Sequence, residues 1–313
     1  MAIRTPLSLD RIEAAAHLVD PAFRDTPQFA DESLSRRLGR ETFLKIETLN
    51  PIRSFKGRGA DFLLRQTGET RAIVCASAGN FGQAVAYTAR QRGLTVRVFA
   101  AAGANRAKIA RMRELGARVV VGGDDFDGAK QAALDYARGR ADCVFVEDGH
   151  EPLLAEGAGT IGVELSSLRL DTLLVPVGNG ALVSGVGAWL KADSPETRIV
   201  GVCAAGAPAM AHSWRSGRPV STSAVRTIAD GLAVRVPVPA AVAWMTEVVD
   251  DMVLVDDAQI LAALRMLRDE LGMIVEPAAA VGVAALAHHQ IPGARVGTVL
   301  TGANFAPDLL AAL

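Results

Sequence analysis

The run Ser54-Phe55-Lys56-Gly57-Arg58-Gly59 sets one lysine after a phenylalanine and before two glycines. A lysine held against apolar walls suits nucleophilic chemistry. Desolvation disfavours the ammonium, and the neutral amine can form a Schiff base with an aldehyde. The flanking glycines read as a tight turn presenting Lys56. Taken alone, Lys-Gly-Arg-Gly is more often an exposed surface turn. Three distant segments change its meaning: Ser77-Ala78-Gly79-Asn80-Phe81, Gly178-Asn179-Gly180-Ala181-Leu182 and Thr301-Gly302-Ala303-Asn304. Each follows a short apolar run. The first two lead into helical patterns, where free backbone N–H groups favour a carboxylate or phosphate. The second lacks the spacing of a dinucleotide loop, since position 183 is Val.

Strands and helices must hold these loops. Strand patterns lie at Ala72–Ala76, Val96–Ala100, Arg118–Val121, Cys143–Val146, Leu173–Val177, Ile199–Cys203, Met252–Val255 and Thr298–Leu300. Helical periods fall at Phe81–Arg92, Arg106–Leu115, Asp127–Arg138, Gly157–Leu170, Leu182–Lys191, Asp257–Leu271 and Pro277–His289. Such alternation predicts an α/β protein with parallel sheets flanked by helices. In open sheets of this kind ligands bind at the C-terminal ends of the strands, where all three loops fall.

Composition sets the outer limits. A chain of 313 residues, 50% apolar and 21% charged, is long enough for two domains. A net charge of -1 gives no footprint for nucleic acid or an anionic membrane. Cys75, Cys143 and Cys203 sit in apolar runs and read as reduced core residues. No signal peptide, membrane span or metal-ligand spacing is present, so a cytoplasmic protein without a metal is expected. Asp124, Asp125 and Asp127 read as a solvated turn.

One nucleophilic lysine and two anion cradles are the parts needed to hold pyridoxal phosphate, which carries an aldehyde and a phosphate. From Thr26-Pro27 to Asn304 the chain resembles the fold-type II pyridoxal-phosphate enzymes (tryptophan synthase β-like), and within them the threonine/serine dehydratases, a family related to serine racemase. The resemblance makes Lys56 the Schiff-base lysine and the catalytic base. It gives Ser77, Ala78, Gly79, Asn80 and Phe81 to the substrate, with Asn80 also on the cofactor's phenolic oxygen. It makes Gly178, Asn179, Gly180, Ala181 and Leu182 the phosphate cup and puts Thr301 at the pyridine nitrogen. Thr227-Ile-Ala-Asp-Gly231-Leu-Ala233 and Glu276-Pro-Ala-Ala-Ala280 resemble two further linings, with Gly231 toward substrate and Glu276 toward cofactor. The activity implied is dehydration and deamination of an L-β-hydroxy amino acid to a 2-oxo acid and ammonia.

The departures from the family pattern carry expectations of their own. Asn179 and Ala181 replace glycines of the usual cup, and a glycine-only conformation at 181 would be strained. Phe81 stands where a histidine is common, which suggests an aromatic wall favouring a bulkier β-substituent. Thr301 offers a neutral hydroxyl. Ala78 has no proton to give where serine racemases have a serine, which favours elimination over racemisation, the alternative activity. A non-catalytic protein of this fold would lack the lysine. The chain ends nine residues after Asn304, so no C-terminal regulatory domain is expected. The organisation read from the sites is a small domain over 47–146 and a large one from 1–46 plus 147–313. A small-molecule amino-acid substrate and a homo-oligomer, a dimer, complete the reading.

Overall fold

The computed structural model describes residues 7–68, 71–305 and 309; the outermost residues of the expected large domain, 1–6 and 310–313, lie outside them. In chain order α1 (Leu9–Leu18), β1 (Gln28–Ala30), α2 (Glu32–Leu38), β2 (Glu41–Ile46) and α3 (Lys56–Leu64) come first. Next come β3 (Ala72–Ala76), α4 (Asn80–Gln91), β4 (Thr95–Ala100), α5 (Arg106–Glu114), β5 (Arg118–Val121), α6 (Phe126–Ala137) and β6 (Cys143–Phe145). The remainder is α7 (Pro152–Leu165), β7 (Thr172–Pro176), α8 (Ala181–Asp193), β8 (Arg198–Ala204), α9 (Ala209–Ser216) and α10 (Pro239–Val248). It closes with β9 (Asp251–Val255), α11 (Asp257–Leu271), α12 (Pro277–His288) and β10 (Arg295–Leu300).

The strands form two sheets, one of four in the order β5-β4-β3-β6 and one of six in the order β1-β2-β10-β7-β8-β9. All pairings between these strands are parallel except β1 with β2. Parallel strands covered by helices on both faces must be apolar throughout, and every residue of β7 is buried. The α/β class read from the sequence therefore holds, with an antiparallel edge strand added. Leu174, Val200, Leu264 and Val281 pack in one cluster of the large sheet, and Val175, Val183 and Val186 in a second. The small sheet is packed by Ile73, Val98, Phe62, Phe81 and Met112, joined by Ala15, Val19 and Phe23 from the N-terminal segment. Each fully buried Leu or Phe in these clusters contributes about 1.5–3 kcal/mol.

Four expectations change. β1 and β2 are strands that no alternation announces. Helix α7 begins at Pro152, a residue preorganised for a first turn, five residues before its expected start. Gly57 and Gly59 lie inside α3 rather than in a turn. A Cβ on Gly57 would come 2.3 Å from the Phe23 ring, and one on Gly59 2.4 Å from the Leu154 carbonyl oxygen. Those glycines let α3 lie close against its neighbours, and Lys56 is the first residue of the helix. Cys143 is only half-buried, unlike Cys75 and Cys203.

Candidate active site

The C-terminal ends of β3, β6, β7 and β10 face one cavity of about 940 Å³, lined among others by Lys56, Ser77, Asp148, Asn179, Glu276 and Thr301. The structure thus gathers the lysine and all three loops into one place. Ala78, Gly79, Asn80, Phe81, Gly178, Gly180, Ala181, Leu182 and Gly231 line it as well.

Lys56 is placed by backbone and by a buried ionic network. The Phe55 N–H donates to the Thr301 carbonyl at 3.0 Å, and the Ala303 N–H to that of Arg53 at 2.9 Å, which sews this segment to the end of β10. Two residues on, the fully buried Arg58 donates to both Glu47 oxygens at 2.9 and 2.8 Å and to Glu164 and Thr160. Lys45 of β2, equally buried, reaches the same Glu164 at 2.5 Å and the Thr26 carbonyl at 2.7 Å. Burial pushes the Glu164 carboxyl up, but Arg58 and Lys45 outweigh it and hold the group below the usual carboxylate range. The Lys56 Nζ meets the Phe55 ring, 4.9 Å from its centroid, and a carboxylate, Asp148, at 2.6 Å. A purely apolar wall was expected; the structure supplies a charge partner too.

Ser77, at the end of β3, shapes the first loop. Its hydroxyl accepts from the Gly79 and Gly82 N–H groups at 3.2 and 2.9 Å, fixing the first turn of α4. Ala78 is exposed to the cavity. Asn80 donates to Glu276 at 2.8 and 3.0 Å and accepts from Asn304 at 2.9 Å. Glu276 is buried, which raises its carboxyl above the usual range despite Lys108 and Asn80 nearby. Phe81 belongs to the core of the small sheet, is 6% exposed and also lines the cavity.

The second loop explains its own departures. Only Gly180 has a left-handed backbone, at φ +90°, and it is the N-cap of α8 with no side-chain cap. Ala181 is the first helical residue, where a Cβ is unstrained. The N–H groups of Ala181, Leu182 and Val183 have no carbonyl one turn back, since the first such bond runs from Ser184 to Gly180. Gly178 leaves no room for a side chain: its Cβ would lie 2.5 Å from the Gly231 carbonyl oxygen. An uncapped helix start backed by bare backbone suits a phosphate, and the amine of Lys56 and the Thr301 hydroxyl line the same cavity. The residues fit pyridoxal phosphate.

Three polar groups here were not singled out from the sequence as site residues. Asp148 follows β6 in a loop without a glycine-rich signature. Lys108 of α5, 5% exposed, pairs at 2.6 Å with Asp230 from the loop after α9. Arg235 of that same loop pairs with Asp125 and Asp127 at the start of α6, and the turn that carries Asp124 and Asp125 is exposed, as expected. Position at the C-terminal end of a strand was the one signal that could have flagged Asp148. Among the described residues no group of His, Cys, Asp or Glu is arranged for a metal. None of their helices is long and apolar enough to cross a membrane.

A lysine sharing one cavity with an uncapped helix start, at the C-terminal ends of helix-flanked parallel strands, is the arrangement of the fold-type II class of pyridoxal-phosphate enzymes. The chain belongs to that family: the profile described as "Pyridoxal-phosphate dependent enzyme" matches residues 19–302. It is 34% identical to an L-threonine ammonia-lyase of Thermotoga maritima over 97% of this chain and 77% of that one. The processed form of threonine deaminase isoform 2 from Solanum lycopersicum superposes with a TM-score of 0.88 at 30% identity, covering 99% and 95% of the two chains. Maize serine racemase superposes with a TM-score of 0.92 at 26% identity, covering 98% and 96%.

Proposed function

We propose that this enzyme is a lyase that removes the β-hydroxyl and the amino group of an L-β-hydroxy amino acid such as threonine or serine, giving a 2-oxo acid and ammonia. The observation that carries the reading is the Lys56 amine in one cleft with two helix N-termini. When bound, pyridoxal phosphate supplies the aldehyde for that amine and a conjugated ring that stabilises negative charge at the substrate Cα. The chain's own residues do the rest. The loop into α8, from Gly178 to Leu182, holds a phosphate with backbone N–H groups. Ser77, Gly79 and the start of α4 hold the substrate carboxylate. Lys56, once free, takes the Cα proton as general base. Thr301 offers a ring nitrogen a neutral hydroxyl, and Asn80, braced by Glu276 and Asn304, faces the same space.

The serine racemase likeness keeps racemisation as the second reading, and Ala78 weighs against it. A racemase needs an acid on the face opposite the base, and a methyl group cannot be one. We also propose that residues 47–146 form the smaller domain and the remainder the larger, the cleft lying between them. The test is the purified protein's visible absorbance together with 2-oxo acid release across a panel of β-hydroxy amino acids. Lys56→Ala abolishes both; a variant that turns over at the wild-type rate refutes the assignment.

A further inference from the structure

The loop after β6 carries two adjacent carboxylates with different fates. Glu147 is taken by Lys130 of α6. Asp148 turns the other way, with one oxygen 2.6 Å from Lys56 Nζ and 3.2 Å from the Asn179 side-chain amide in the cup. The loop is not free to swing. The His150 N–H closes a turn onto the Glu147 carbonyl at 3.1 Å. Gly149, at φ +89°, sits so close to the cup that a Cβ there would be 3.0 Å from the Asn179 carbonyl oxygen. The Asp148 side chain is 15% exposed, so a charge opposite it is only partly screened by water.

From this geometry we infer that Asp148 is the counter-ion of the catalytic amine, a positioning residue acting through Lys56. The inference rests on the reading above that Lys56 removes the Cα proton. In that step the Cα–H bond breaks and an N–H bond forms on Lys56. The electron pair stays with the substrate skeleton, and nothing is oxidised or reduced. The product of the step on the protein side is an ammonium, and Asp148 is the carboxylate within its reach, 2.6 Å from Nζ, with the Phe55 ring 4.9 Å from it. A preorganised carboxylate at the point where charge develops lowers the barrier to developing it. Asn179 holds Asp148 in that place, which gives the asparagine in the cup a task a glycine could not perform.

The experiment uses holoenzyme in D2O with L-alanine, which has no β-hydroxyl to lose, and follows Cα–H exchange by proton NMR. Asp148→Asn slows exchange roughly 10- to 100-fold, and Asp148→Glu recovers part of the loss. 4-Deoxypyridoxine phosphate has a methyl group in place of the aldehyde, so it neither bonds Lys56 nor offers Asp148 a charge, and it reports on the cup; its affinity for the Asp148→Asn apoprotein stays within about twofold or tightens, because a negative charge beside the cup is gone. Exchange within about twofold of wild type overturns the inference. So does a parallel loss of 4-deoxypyridoxine phosphate binding, which would make Asp148 part of the cup's scaffold. Wild-type protein that exchanges alanine yet releases no 2-oxo acid from β-hydroxy amino acids refutes the proposed activity and leaves the role of Asp148 standing. Wild-type protein that neither exchanges alanine nor releases 2-oxo acid overturns both.

Discussion

Arg58→Met is the sharpest test of how Lys56 is held. Arg58 and Glu47 are both fully buried, and Arg58 satisfies Glu47 and Glu164 while Lys45 pairs with Glu164 alone. Removing the guanidinium leaves two carboxylates and one ammonium, a net negative charge inside the protein. Breaking a buried pair from one side costs about 3–5 kcal/mol, because the orphaned charge stays desolvated. With an unfolding entropy of about 2.1 cal/mol/K per residue over a chain of this size, that is a Tm fall of roughly 5–8 °C. The assay is differential scanning calorimetry of the apoprotein, so that cofactor binding does not mask the change. The pH dependence supplies an independent sign. In the wild type Glu164 is held low, so its contribution is present above the ordinary carboxylate range and is lost as pH falls through the lowered value. In the variant a buried carboxylate lacks its cation, so the stability should instead rise as pH falls from neutrality. A Tm change under about 1 °C, or the same pH trend in both proteins, refutes the reasoning.

Gly178→Ala places a Cβ into the Gly231 carbonyl, so the cup must shift, and pyridoxal phosphate affinity measured by equilibrium dialysis falls at least about tenfold. Ala78→Ser adds a proton donor to the cavity wall, and chiral chromatography after reaction with L-serine shows a larger D-serine fraction than wild type gives. Phe81→Leu shrinks a core side chain, so Tm falls while the ratio of kcat/KM for threonine to that for serine moves less than about twofold. A larger change in that ratio would restore the ring to the substrate wall, as its position in the sequence first suggests.

Much of the fold is legible in the sequence because parallel strands buried on both faces announce themselves as short apolar runs. The site is legible for a related reason: its loops follow those runs, and backbone cradles leave glycines behind. What escapes notice depends on partners far along the chain. The buried run of β2 contains Lys45, which makes sense in a strand only beside Glu164, 119 residues away. Gly57 and Gly59 look like turn formers until Phe23 and Leu154 are seen pressing on them. Asp148 is one acidic residue among many until Lys56, 92 residues earlier, is found against it. Local pattern reports local constraint, and none of these constraints is local.

The cup after β7 has a consequence for how such sites can be found. What it offers an anion is amides common to every residue but proline, so the side chains above them are free to differ. Only Gly180 is bound to a left-handed backbone, and only Gly178 to a gap with no room. A residue with a Cβ at a compatible glycine position narrows the unfolded ensemble and stabilises by about 0.4–1 kcal/mol, so Asn179 and Ala181 favour the folded loop over the unfolded chain. Counting glycines would pass over this one. One left-handed residue ahead of an uncapped helix is the better fingerprint.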